Sequence, residues 1–235
     1  MRENYPLLLV TFISHKLEVI QKHKYILFGA SLLLFMLNLI LSSGYALPTN
    51  FYDEFSYLAI AAYFSGLDWS SMMYYQFYYS FGYPLIMVPL FWVFDNPFYI
   101  FRGAIILNAI LASGSLIITY CITGRILGNL GNFKRICIAF TISMYSSYLM
   151  HVQLAWTESL LAFLVLGMFI VCIKLEEKSS DVLVVLFSLL IFFAFIVHMR
   201  FLGVLIAGFV AMLMFYKFNK INLKQLLMFI STVFF

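Results

Sequence analysis

The chain has 235 residues, of which 64% are hydrophobic, 20% aromatic and only 10% charged, with a mean hydropathy of +1.00. That composition excludes a soluble globular domain, where about a quarter of residues are charged. The formal net charge of +4 needs no nucleic-acid partner to explain it, and the chain reads as an integral membrane protein.

Taken in order, residues 1–24 form an N-terminal segment with Lys16, Lys22 and Lys24, and residues 25–44 an uncharged first span. Twenty residues at 1.5 Å each cross about 30 Å of hydrocarbon. The stretch is too long and too far inside the chain for a cleaved signal peptide. Residues 45–98 form a loop of different character, and residues 103–124, between Arg102 and Arg125, a second span. From Ile136 to Ile173 the only formal charge is Glu158, which predicts two spans turning near His151. Residues 182–216, interrupted only by His198 and Arg200, predict a second hairpin turning near Arg200. The last eleven residues, QLLMFISTVFF, read as a truncated seventh span. The expected fold is therefore an all-α polytopic helical bundle of about six complete spans, occupying residues 25–235.

Basic residues fix the expected orientation. In the six-span topology, Arg2, Lys16, Lys22, Lys24, Arg125, Lys134, Arg135, Lys174, Lys178, Lys217, Lys220 and Lys224 share the side of the N-terminus, and only Arg102 and Arg200 lie opposite. The positive-inside rule then makes the N-terminus cytoplasmic and turns the 45–98 loop outward. Cys121, Cys137 and Cys172 make no disulfide framework and read as reduced packing residues, and no zinc-ligand spacing occurs.

The outer loop holds four of the five prolines and a cluster of tyrosines, Tyr74, Tyr75, Tyr78, Tyr79 and Tyr83 among them. Amphipathic rings settle at membrane interfaces, although the same cluster suits a sugar platform. Residues 54–65 read as a short interfacial helix with Phe55, Leu58, Ala59 and Ala62 along its lipid face, and residues 84–94, with Pro89, as a second or half-inserted one.

Candidate polar residues gather on this outer face: Asp53 and Glu54 at the start of the first helix, Arg102, Glu158, His198 and Arg200. Charges at membrane depth usually face a bundle interior or a wet cavity. Each also has a plain structural reading. Asp53 could be an N-cap, Glu54 could favour the helix dipole, and Glu158 could pair with Arg200 or Arg102 to lock helices together. His151 and His198 read as loop or interface residues.

The order of these features resembles the GT-C glycosyltransferases that use polyprenyl-phosphate sugars, in particular the protein O-mannosyltransferase and aminoarabinose transferase group. The matching segments are the acidic pair Asp53–Glu54 in the first outer loop, FGYPLIMVPLFW at 81–92, TESLLAFLVLGMF at 157–169 and HMRFLGVLIAG at 198–208. The resemblance implies a membrane transferase of a bacterial or archaeal cell membrane. Its partners would be a polyprenyl-phosphate sugar donor and a glycan, lipid or protein acceptor. Asp53, with Glu54, would be catalytic, while Arg102, Glu158, Arg200 and Tyr83 would bind substrate. No cofactor follows, and a divalent metal stays open. Family members run to more spans, so the chain reads as an N-terminal fragment, and the aminoarabinose branch's Lys before the proline pair is missing from YYSFGYPL. The rival readings are an O-antigen polymerase or ligase, a transporter with mid-membrane charges, and a non-catalytic assembly protein.

Overall fold

The computed structural model describes the backbone of residues 5–44, 52–72 and 80–234, and side chains from residue 23 onward within those stretches up to 233. All regular structure among them is helical. The helices are α1 (Tyr5–Ser42), α2 (Tyr52–Phe64), α3 (Gly82–Val93), α4 (Pro97–Ile126), α5 (Asn132–Ser143), α6 (Ser146–Val152), α7 (Glu158–Glu177), α8 (Asp181–Val197), α9 (Leu202–Lys217) and α10 (Leu223–Phe234), with short 3₁₀ turns at Ser70–Met72 and Met199–Phe201. The tyrosines expected at 74–79 lie outside the described residues.

Four segments are long and apolar enough to cross a bilayer: His23–Ser42, Pro97–Ile126, Glu158–Glu177 and Met199–Lys217. This is the composition and length of an all-α membrane protein. The six-span expectation needs α5–α6 and α8 as further crossings. At 17 residues α8 reaches about 25 Å, and α5 is interrupted after Ser143.

Local chemistry sets several of the ends. The Asn96 side chain accepts the Phe98 N–H at 2.9 Å and Pro97 opens α4, a favourable pairing of N-cap and first-turn proline. Ser180 likewise caps α8 by accepting the Leu183 N–H. Helix α2 ends at Gly66, whose φ of +84° lets the Leu67 N–H turn back to the Ala62 carbonyl.

Helices α4 and α7 pack together at the centre, with α1 and α5 also packed on α4, and α8 on α7 followed by α9 and α10. Close approach relies on small residues. Ala104, Ala109 and Ala112 are fully buried along α4, and the Phe163 ring of α7 lies where a Cβ on Gly114 would stand. Outward faces keep large apolar side chains exposed, such as Phe28, Ile110, Phe169 and Val210, as a lipid-facing bundle requires.

Two expectations are corrected here. Helix α2 does not show the single apolar face expected of it. Glu54, Ser56, Tyr57, Leu58, Ala59, Ala61 and Ala62 are all buried, and the helix packs against α3 inside the protein. The polar Glu54 and Ser56 inside such a helix require protein partners, which only an enclosed position supplies. Nor are the cysteines uniformly packing residues. All three are free, but Cys121 and Cys137 are exposed on helix surfaces and only Cys172 is partly enclosed.

Candidate functional site

The segment joining α6 to α7, Gln153–Leu154–Ala155, is held by one side chain from each of three other helices. Asn38 of α1 accepts the Gln153 side-chain N–H at 2.9 Å. Asn108 of α4 donates to the Leu154 carbonyl at 2.6 Å. Glu54 of α2 accepts the Ala155 N–H through Oε1 at 2.8 Å. Asn38, Glu54 and Asn108 are all fully enclosed. Buried polar groups of this kind are costly unless paired, so each bond helps hold the segment in one place. Tyr83 of α3 joins them: its hydroxyl donates to Asn108 Oδ1 at 3.1 Å, and the Tyr57 ring meets it edge-on with centroids 5.6 Å apart.

This anchored segment leads into Thr157 and Glu158, the first residue of α7, so the scaffold fixes where the Glu158 carboxylate stands. Facing it is the turn between α8 and α9. His198 is extended, with φ −155° and ψ 121°, which ends α8, and its Nδ1 accepts the Arg200 N–H at 3.2 Å. The Met199 N–H donates to the Ser80 hydroxyl at 3.2 Å, and Gly82 lies directly against the backbone of Ile196 and Val197. The aromatic-proline segment and the His-Met-Arg turn, 119 residues apart, are thus one packed unit.

Electrostatics place the acids in the same neighbourhood. Burial, and then the Arg200 guanidinium, hold the His198 imidazole below its ordinary value, while the charges of Glu158 and Asp53 pull it the other way. Glu54 and Glu158 are also close enough for their charges to act on the Tyr83 hydroxyl. The structure therefore brings Asp53, Glu54, Tyr83, Glu158, His198 and Arg200 to one end of the bundle.

Their roles in the packing differ. Asp53 falls in the first turn of α2 and is exposed, whereas its neighbour Glu54 points inward and is enclosed. Arg200 is exposed, and its guanidinium makes no hydrogen bond or ion pair with any described residue. Glu158 forms no ion pair with Arg200 or Arg102, so the alternative in which it locks helices together finds no support among the described residues. The ion pairs among the described residues, Arg125–Glu177, Lys220–Glu176 and Lys224–Asp181, lie at the other end. Arg102 is committed elsewhere. It donates to the Ser42 carbonyl at 2.6 Å and the Ser43 carbonyl at 3.2 Å and lies 5.7 Å over the Phe98 ring, so it caps the C-terminus of α1.

Asn38, Asn108, Gln153 and Ser80 carry the scaffold and were not singled out by the sequence. Asn38 and Asn108 did leave a signal, each being an amide inside an otherwise apolar span, where polar groups need an internal partner. Among the described residues no three His, Cys, Asp or Glu side chains are grouped to hold a metal ion. Comparison with protein-family models, with curated proteins and with solved structures finds no match to this chain.

Proposed function

We propose that the chain forms the catalytic face of a membrane glycosyltransferase that takes a sugar from a polyprenyl-phosphate donor. The observation that carries this reading is the presence, at one mouth of an apolar bundle, of an exposed carboxylate, Asp53, and an exposed guanidinium, Arg200, that has no ion-pair partner among the described residues. A group-transfer site for a lipid phosphate needs both a base for the acceptor and a cation for the leaving group. The GT-C resemblance assigns these residues the same roles.

In this mechanism Asp53 takes the proton of the acceptor hydroxyl as its oxygen attacks the anomeric carbon. The bond from that carbon to the phosphate oxygen breaks with inversion, and the lipid phosphate leaves carrying the bonding electrons. Arg200 stabilises the departing phosphate through paired N–H donors. Glu158 orients the acceptor, and Glu54 acts as a positioning residue through the Ala155 N–H. Tyr83, enclosed and bonded to Asn108, supports the floor of the site without touching substrate.

A donor-consumption assay on the protein in proteoliposomes tests the assignment. Asp53→Asn should keep donor binding and lose about 10²-fold or more of turnover, the range for a positioned general base. Arg200→Gln should weaken donor binding by about 1.5–3 kcal/mol with an unchanged unfolding midpoint. Normal turnover in the Asn variant overturns the catalytic role of Asp53.

A further inference from the structure

A second site lies at the opposite end of the bundle and does not rest on the transferase reading. Helices α5 and α7 both pack on α4, leaving a groove over α4 between them. Toward the basic end this groove opens into a cavity of about 320 Å³ lined by Tyr120, Gly124, Arg125, Arg135, Ile170 and Lys174. Above it lies a larger, apolar cavity of about 590 Å³, with Thr119 of α4, Ile142 of α5, and Ala162 and Leu166 of α7 on its walls. Ala162, Leu166, Ile170 and Lys174 follow at four-residue steps, so one face of α7 lines both cavities. From Ala162 to Lys174 the rise is about 18 Å, close to one leaflet of a roughly 30 Å hydrocarbon core.

The cations at the lower end are unequally satisfied. Arg125 is ion-paired with Glu177. Arg135 donates through Nη2 to the Gly128 carbonyl at 2.8 Å, but its Nε is buried and has no partner. The Lys174 ammonium makes no hydrogen bond or ion pair with any described residue. The Arg135 guanidinium also lies so near α4 that a Cβ on Gly124 would come within 2.9 Å of Nη1, so the glycine admits the guanidinium to the cavity wall. A buried donor left without an acceptor costs about 1–3 kcal/mol. An anionic oxygen between the Arg135 guanidinium and the Lys174 ammonium would be drawn by both charges.

We propose that this groove binds one anionic membrane phospholipid, its phosphate between Arg135 and Lys174 and an acyl chain along Ile170, Leu166 and Ala162. Free phosphate would answer the two cations but leave the apolar cavity above them unexplained. A zwitterionic lipid would fill that cavity but bring a second cation to a basic site. Only an anionic headgroup with an attached chain matches both halves, and such headgroups are concentrated at the level where a basic pocket between helices meets the interface.

The test uses the full chain in neutral detergent, with the unfolding midpoint followed during titration with phosphatidylglycerol, phosphatidylcholine or inorganic phosphate, and native mass spectrometry counting bound lipids. Phosphatidylglycerol should raise the midpoint saturably with one lipid retained per chain, and the other two should not. Lys174→Gln should weaken the phosphatidylglycerol response about tenfold or more, the loss expected for one charge-assisted hydrogen bond. Lys217→Gln, an exposed change elsewhere, should leave it intact. Ala162→Phe fills the upper cavity without altering charge and should also weaken binding, which keeps the chain-binding half testable should a charge variant fold poorly. Equal responses to phosphatidylcholine, equal effects of Lys174→Gln and Lys217→Gln, an undiminished response in Ala162→Phe, or a shift reproduced by inorganic phosphate would each overturn the proposal.

Discussion

His198 turns the crowding of the site into a measurable property of one residue. Its imidazole is held below the ordinary value of about 6.5, first by burial and then by Arg200. The unfolded chain therefore binds a proton more readily than the folded one, and the linkage sign follows. The contribution of His198 is complete above about pH 6.5 and is lost as pH falls toward the folded value. The unfolding midpoint should decline on acidification through this window, and His198→Gln should flatten that slope. An identical slope in the variant would show that the proton goes elsewhere. Residue-level reading of the sequence found the acidic pair but not the division of labour within it. Adjacent positions on a helix point about 100° apart, so Asp53 faces out while Glu54 faces in, and only the packing of α2 says which is which. Asn38 and Asn108 were passed over because span assignment weighs formal charge, and an amide carries none.

At the scale of elements, the junction of α3 with the end of α8 depends on an absent side chain. A Cβ on Gly82 would stand 2.7 Å from the Val197 nitrogen and 2.8 Å from the Ile196 carbonyl carbon, and backbone cannot swing aside as a side chain can. Gly82→Ala should therefore destabilise the protein by about 1–3 kcal/mol, the usual cost of overpacking, read as a lower unfolding midpoint. Gly203→Ala, where a new Cβ meets nothing within 4 Å, is the matched control. Apolar runs located the long helices well: the span expected at 103–124 lies inside α4 and the hairpin turn expected near Arg200 falls at His198. The run after Ile136 was less legible. Helix α5 stops at Ser143, whose hydroxyl bonds back to the Ala139 carbonyl, and Ser146 and Ser147 follow at the start of α6. Serines that offer the backbone alternative hydrogen bonds interrupt a helix without changing its hydropathy.

For the whole molecule, the skewed distribution of basic residues predicts which end faces the cytoplasm. Single cysteines at Ser71 and Ser179, introduced into a variant lacking Cys121, Cys137 and Cys172, should react with an impermeant thiol reagent from opposite sides, Ser71 from outside. Labelling of both from one side would mean that an even number of crossings separates them, and α5–α6 is then the segment that does not cross, since unlike α4 and α7 it does not meet the length of a full span. Overall architecture was legible because hydrocarbon thickness sets helix length. The candidate site was legible only as a set of residues on one side, since the contacts that assemble it join distant parts of the chain.

The three-way hold on residues 153–155 has a consequence for biogenesis. Its bonds span 115, 46 and 101 positions of sequence, so none can close until residues 153–155 have left the ribosome. Until then the Asn38 amide has the Leu34 carbonyl of its own helix and Asn108 has the Tyr83 hydroxyl, while Gln153, Leu154 and Ala155 are still to come. Closure of the three bonds then ties α1, α2 and α4 to the segment that leads into α7.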